Sequence, residues 1–332
     1  MKEVQDAVEA LEALPLLGRG LAQARALDAR LVDLLLRHPD PALATRALIR
    51  RGERQLVEGD EAAPETLAEA ARRCLSLGAS GLELRCRLLA ARALAALGSL
   101  ADAQALLARA EVESAGVPEL ALERALARAA VGAHGAADEL AAALDVFEPI
   151  DGGADPEAHD HFAAAVALAE ALSGDARWRE ADRRFAEAAG LARDYADPAA
   201  VARVCLARGA SLLRHGRAPD AVPHLRAALE GPSLVRLAAG LLLSGVLLEA
   251  GALDEADAVA EATQTLAEQR RNWLAFSAAA LDRVRSAELR GDAEAARARL
   301  VDALVRCRAE GEPGPLLQAR WLEMESDAPD PE

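Results

Sequence analysis

Six acidic and histidine side chains cluster near the middle of the chain, where carboxylate oxygens and imidazole nitrogens could together hold a divalent metal ion. They are Asp151, Asp155, Glu157, His159, Asp160 and His161. His159 and His161 are two positions apart, so on a helix they point away from each other, whereas histidines that share a metal on a helix stand four apart. Asp155 precedes Pro156, which is typical of a helix start. We therefore predict a capped, acidic helix start and no metal site.

The sequence contains no motif of a common enzyme class. Lys2 is the single lysine, which excludes a phosphate-binding loop of the G-x-x-x-x-G-K-[ST] type. Ser80 lies between two glycines but lacks the strand that a nucleophilic serine elbow requires. His134 and His215 each precede a glycine turn, a position where a helix end favours a partly cationic ring. We predict that the protein is not an enzyme, with no catalytic residue, no cofactor and no metal.

Composition indicates a helical protein that does not bind nucleic acid. Hydrophobic residues make up 52% of the 332 residues but aromatic residues only 2%, so burial must depend on alanine and leucine, which favour helices. The net charge of −16 repels phosphate backbones. The four cysteines are far apart in sequence, as expected of reduced thiols in a cytoplasmic protein. No apolar stretch is long enough to cross a membrane, and we predict no membrane association.

A repeat is visible in the spacing of seven glycines. They stand 35 to 42 residues apart, about 39 on average, and are Gly59, Gly98, Gly135, Gly174, Gly216, Gly251 and Gly291. After five of them comes a small residue, a residue four positions later and a small residue three positions after that, as in Ala103, Leu107 and Ala110. Intervals of four and three place these residues on one helix face. Each repeat is therefore predicted to be a pair of helices that cross closely at the alanines.

This pattern resembles the second helix of the tetratricopeptide repeat, and the strings Gly98-Ser-Leu-Ala-Asp-Ala103 and Gly251-Ala-Leu-Asp-Glu-Ala256 resemble its turn. The period exceeds the usual 34 residues, and long-period relatives occur in bacterial signalling and regulatory proteins. The resemblance implies an all-α fold, a right-handed superhelical α-solenoid of about seven antiparallel helix pairs. Extra N-terminal helices and a C-terminal capping helix would flank it.

Helix-start signals divide the chain further. Aspartate followed by proline marks helix starts at Pro41, Pro156 and Pro198. Residues 1–40 are predicted to form N-terminal helices, 41–310 the repeats with a possible break at 149–155, 311–325 a capping helix and 326–332 a disordered acidic tail. The seven pairs are predicted to begin near residues 41, 81, 118, 156, 198, 233 and 272.

If the first helix of each pair keeps the register of the tetratricopeptide family, a set of arginine and aliphatic residues lines the concave groove. The set is Arg46, Ile49, Glu53, Arg85, Leu88, Arg92, Arg203, Leu206, Leu241, Leu281 and Arg285. Arginine binds carboxylates through a two-pronged contact, and leucine supplies buried apolar area. The competing interpretation is that arginine is abundant throughout this chain and occurs on every exposed face, so that its presence in the groove has no functional meaning.

These observations favour a non-enzymatic scaffold that binds a partner protein or peptide, possibly acidic or amphipathic, in the groove. The alternative is a sensory or regulatory solenoid that binds a small molecule or signalling peptide and changes the activity of a partner.

Overall fold

A computed structural model describes residues 2–14, 16, 18–133, 135–146, 158–310 and 314–326. Within these residues the chain forms seventeen α-helices and one 3-10 turn, Pro118–Leu120, with no strand. The helices are α1 Lys2–Glu12, α2 Gly18–Arg37, α3 Pro41–Glu58, α4 Ala63–Ser76, α5 Ser80–Ala96, α6 Leu100–Ser114, α7 Ala121–Ala130, α8 Ala136–Val146, α9 Ala158–Gly174, α10 Trp178–Asp194, α11 Pro198–Arg214, α12 Ala218–Ala228, α13 Ser233–Glu249, α14 Leu253–Gln269, α15 Trp273–Leu289, α16 Ala293–Ala309 and α17 Pro315–Ser326.

The predicted all-α class of seven helix pairs is confirmed. The pairs run from α3 and α4 to α15 and α16, with α1 and α2 before them and α17 after them. In each pair we call the odd-numbered helix the first helix and the even-numbered helix the second. The first helices α3, α5, α7 and α9 pack on one another in sequence, and α1 packs on α3 and so continues their row. Towards the C-terminus α13 packs on α15.

Small residues allow the two helices of a pair to approach closely, as predicted. The fifteen residues of the alanine pattern are all buried, and in three pairs the middle residue is a fully buried Phe185, Leu225 or Leu300. Two first-helix glycines serve the same contact. A side chain on Gly52 would lie 2.6 Å from Leu67, and one on Gly209 would lie 2.8 Å from Leu225. These glycines therefore leave room for the large residue of the second helix.

Six of the seven repeat glycines make the turn between the helices with a positive φ angle, as at Gly98 with φ 84°. The seventh departs from the pattern. Gly174 is the last residue of α9, and the left-handed position falls two residues later, on Ala176 with φ 61°. An L-residue adopts this region less readily than glycine. In the turn between α9 and α10, Ala176 and not Gly174 therefore adopts the left-handed conformation.

Two of the three predicted aspartate caps are present. Asp40 accepts a hydrogen bond from the backbone N–H of Leu43 at 2.9 Å, and Asp197 accepts one from that of Ala200 at 2.9 Å. The third cap, at Asp155, and the possible break at 149–155 lie outside the described residues, as do His134 and most of the acidic tail.

The chain divides into two compact units, Met1–Ala200 and Val201–Glu332. The first holds α1 to α10, and the second holds most of α11 and the helices after it. Three of the four cysteines are buried and Cys205 is half-buried. None of the described helices combines the length and apolar character that crossing a bilayer would need.

Candidate partner-binding surface

Four of the predicted groove residues meet around one pocket of about 350 Å³ in the first unit. Its walls come from the end of α1, from α3 and from the start of α5, which belong to one row of packed helices. The lining residues are Glu12, Arg46, Ile49, Arg50, Glu53, Leu82 and Arg85. We call this feature the Arg46 pocket. Arg46, Ile49 and Glu53 lie on α3, and Arg85 lies on the first helix of the next pair, α5. The helical spacing and the repeat thus predicted four residues that line the same pocket.

A buried carboxylate lies at the base of the Arg46 pocket. Glu53 is 5% exposed and forms ion pairs with Arg50 at 2.8 Å and with Arg85 at 2.9 Å. Arg85 donates a further hydrogen bond to Glu123 on α7 at 2.8 Å. A buried charge is tolerated when it is paired on several sides, and removing one partner of such a pair costs several kcal/mol. This cluster therefore joins α3, α5 and α7 structurally.

A second group of contacts connects α3 to the end of α1. Arg46 forms a bidentate contact with Glu12. Its Nε donates to Oε1 at 2.8 Å, and a terminal nitrogen donates to Oε2. The hydrogen bond to Glu12 raises the pKa of Arg46. Arg50 donates to the backbone carbonyls of Leu11 and Leu14. The arginines of the pocket thus already hold acceptors from the chain itself.

The other predicted residues of the first unit are less accessible. Leu88 is fully buried and packs with Leu84 and Leu107 in a core cluster, so it offers no surface to a partner in this conformation. Arg92 is half-buried on the same helix.

In the second unit the predicted residues lie on three first helices. Arg203 and Leu206 on α11, Leu241 on α13 and Leu281 on α15 are half-buried, whereas Arg285 on α15 is exposed. Leu241 and Leu281 both pack against the cluster that contains Phe276. The structure thus places these residues on successive first helices.

Sequence reasoning missed a polar pair beside Leu241 and Leu281. Ser244 donates a hydrogen bond to Asp282 at 2.5 Å, and burial raises the pKa of the Asp282 carboxyl group. It also missed Glu12, Arg50 and Leu82 in the Arg46 pocket. Arg50 follows Arg46 by four residues, so helical spacing could have found it. Glu12 lies outside the repeats, where no periodic signal could point to it.

A larger cavity of about 830 Å³ contains none of the predicted residues. It lies between α6, α7 and α8, and small residues such as Ala125 and Ala142 are among those that line it. The helices α7 and α8 have 10 and 11 residues, against 17 in each helix of the last two pairs. This cavity therefore accompanies the shortest helix pair and shows no convergent set of unpaired charges.

Of the acidic and histidine cluster predicted to be a helix start, the side chain is described only at His161. This ring contacts Glu187 on α10 at 3.2 Å. His161, together with Arg184, lowers the pKa of Glu187 to about 2. No group of three histidine, cysteine or acidic side chains is arranged to hold a metal ion within the residues that the structure describes.

Comparison with solved structures gives a match over almost the whole chain. A crystal structure of a Rap protein complexed with competence and sporulation factor superposes with a TM-score of 0.60 and 14% identity, and the match covers 98% of this chain and 96% of that one. The apo form of RapI matches with a TM-score of 0.49 and 12% identity over 93% and 85% of the two chains. No protein-family model matches the sequence. No curated protein matches it either.

At this level of identity the Rap match shows the fold, a tetratricopeptide-like arrangement of helical repeats, and confirms the predicted architecture.

Proposed function

We propose that this protein is a non-enzymatic binding protein that takes a partner protein or peptide on the row of first helices, with the Arg46 pocket as one contact point. The observation that carries the proposal is the convergence of Arg46, Ile49, Glu53 and Arg85 on that pocket. Arg46, with a side chain 38% exposed, and the exposed Leu82 suit a segment that is acidic and partly apolar. Cytoplasmic localisation is part of the same proposal.

The remaining predicted residues belong to the proposed surface in each unit separately. They are Leu88 and Arg92 in the first unit and Arg203, Leu206, Leu241, Leu281 and Arg285 in the second. Leu88 would act by supporting the surface from below, because it is buried. The sequence-based division at residues 40, 310 and 325 also stays a proposal.

A second function is favoured by the structural match. The Rap protein was crystallised with competence and sporulation factor, which supports the alternative that this chain binds a signalling molecule and regulates a partner. The two proposals share a surface, since tetratricopeptide-like repeats commonly bind ligands on their first helices. They differ in whether the bound species changes the activity of a further partner.

Site-specific photo-crosslinking in the cells that make the protein tests the proposal. A photoreactive amino acid at Leu82 samples the Arg46 pocket, and the same residue at Leu100 is the matched control. The two leucines are 43% and 49% exposed, but Leu100 begins a second helix and does not line the pocket.

We expect Leu82 to capture a discrete species that Leu100 does not, either a protein band or a small mass increment for a signalling molecule. Identical adducts at both positions, or none at Leu82, would contradict binding at this pocket.

A further inference from the structure

The end of α1 lines the Arg46 pocket and contacts its arginines in the way that an acidic peptide would. Glu12 takes both prongs of the Arg46 guanidinium, and the carbonyls of Leu11 and Leu14 accept from Arg50. Glu12 is also the last residue of α1, where the negative end of the helix dipole disfavours an acidic side chain. The local helix gives no reason for glutamate at this position, and the contact with Arg46 does.

We propose that Glu12 is an internal stand-in for an acidic group of the partner, and that a partner carboxylate replaces it on Arg46. This inference rests on the proposed function and names the chemistry of the bound segment: an acidic side chain or a chain-terminal carboxylate. A planar carboxylate matches the guanidinium fork as Glu12 does.

Exposure identifies which part of the pocket can exchange. The side chains of Arg46 and Glu12 are 38% and 37% exposed, and an ion pair this accessible contributes little to stability. Glu53, in contrast, is buried between two arginines and is costly to uncover. A partner can therefore displace Glu12 and leave the cluster around Glu53 intact.

Displacement of Glu12 leaves a second contact of the N-terminal helices in place. The start of α2, six residues beyond Glu12, is held by Asp197, whose Oδ2 accepts the backbone N–H of Gly18 at 2.8 Å. Asp197 is 4% exposed, and its other oxygen caps α11 through Ala200. Gly18 has φ 54°, and a side chain on it would lie 2.0 Å from the carbonyl oxygen of Tyr195.

The segment from Glu12 to Gly18 is thus fastened at one end in the Arg46 pocket and at the other on the turn between α10 and α11. Release of Glu12 removes one fastening and leaves Gly18 held by Asp197.

The test uses the full chain, the substitution Glu12→Ala and a matched control, Glu3→Ala. Glu3 also lies on α1 and forms an ion pair with Arg30, with both side chains about 60% exposed, but it is not at the pocket. The probe is a fluorescent peptide with the sequence of residues 6–12, Asp-Ala-Val-Glu-Ala-Leu-Glu. One form has a free terminal carboxylate and one a terminal amide, which separates the two sources of the carboxylate.

We expect Glu12→Ala to bind at least one form of the peptide about tenfold more tightly than the unsubstituted protein and the Glu3→Ala variant do, because Arg46 has lost its internal partner.

Equal affinities in all three proteins, or no binding to Glu12→Ala, would overturn the inference. The proposed function is judged separately by the crosslink at Leu82. A partner captured there together with no effect of Glu12→Ala would leave the surface in place and reject only the stand-in role.

Discussion

Glu53 is a carboxylate that the first unit buries and neutralises with two arginines. Its exposure is 5%, and Arg50 and Arg85 both contact it. Glu12, which pairs with Arg46 nearby, is far more exposed. The two glutamates therefore have different roles at the same pocket: Glu53 supports its structure, and Glu12 occupies a replaceable position.

The difference between these glutamates predicts unequal losses of stability. Glu53→Gln should lower the free energy of unfolding by about 3 kcal/mol, since two partly buried guanidinium groups lose their counter-charge. Glu12→Gln should lower it by less than about 1 kcal/mol. Urea denaturation of both variants measures the two values. Equal losses would show that Glu53 is not the structural member of the pocket.

Glu187 gives a prediction about pH. His161, then Arg184, lowers its pKa from the ordinary 4.5 to about 2 in the folded protein. A carboxyl group with a lowered folded pKa stabilises the fold above its unfolded pKa and loses that contribution as the pH falls through the folded value. The stabilisation should therefore be complete above about pH 4.5 and disappear towards about pH 2.

Comparison of the unsubstituted protein with Glu187→Gln measures this effect. The pair of Glu187 and His161 is partly exposed, so the advantage at pH 7 should be about 1 kcal/mol, well below the value that the pKa shift alone would give. The advantage should shrink in denaturation experiments at pH 3. An advantage that is constant from pH 7 to pH 3 would contradict the assigned contact.

At the scale of elements, two glycines of α13 have opposite surroundings. A side chain on Gly240 would lie 2.1 Å from Oγ1 of Thr263, which is itself bonded to the carbonyl of Val259. A side chain on Gly245 would meet no atom within 4 Å. The helix pair of α13 and α14 therefore depends on the first glycine and not on the second.

These surroundings predict opposite effects of the same substitution on one helix. Gly240→Ala should destabilise the second unit by about 1–3 kcal/mol through overpacking. Gly245→Ala should stabilise it by about 0.5–1 kcal/mol, because alanine favours a helix more than glycine does. Thermal unfolding of the two variants provides the measurement, and a loss of stability in both would reject the close approach at Gly240 as the cause.

Much of the helical organisation was predictable because the repeat carries it locally. Turn glycines, aspartate caps and the alanine face each report on a few neighbouring residues, and the helix starts fall close to the predicted positions. The turn after Gly174 was less well predicted, because Ala176 takes the left-handed position there. The division near Ala200 had no local signal, since it falls inside the continuous helix α11.

At the scale of the whole molecule, the binding surface was only partly predictable. Arg46, Ile49 and Glu53 follow helical spacing and Arg85 follows the repeat, so pattern alone assembled them. Leu88 is three residues from Arg85, and helical spacing therefore predicted it on the same surface. In the structure its side chain is buried in the core. Glu12 reaches the pocket because α1 packs on α3, a tertiary contact that no periodicity encodes.

The chain has a net charge of −16, so the arginines of the Arg46 pocket differ in charge from the protein as a whole. An acidic surface repels an acidic partner. The Arg46 pocket can attract an acidic group locally when that group replaces Glu12 on Arg46. The central claim is that the row of first helices, and not the second helices, contacts the partner.

Hydroxyl-radical footprinting of the unsubstituted protein, bound to the partner that crosslinking at Leu82 identifies, tests this claim most directly. Leu82 marks the first helices, and Leu75 and Val112, which are 63% and 81% exposed, mark the second helices α4 and α6. With unsubstituted protein and the identified partner, oxidation of Leu82 should fall while that of Leu75 and Val112 stays at the free level. Protection of Leu75 and Val112 with Leu82 unchanged would contradict the account.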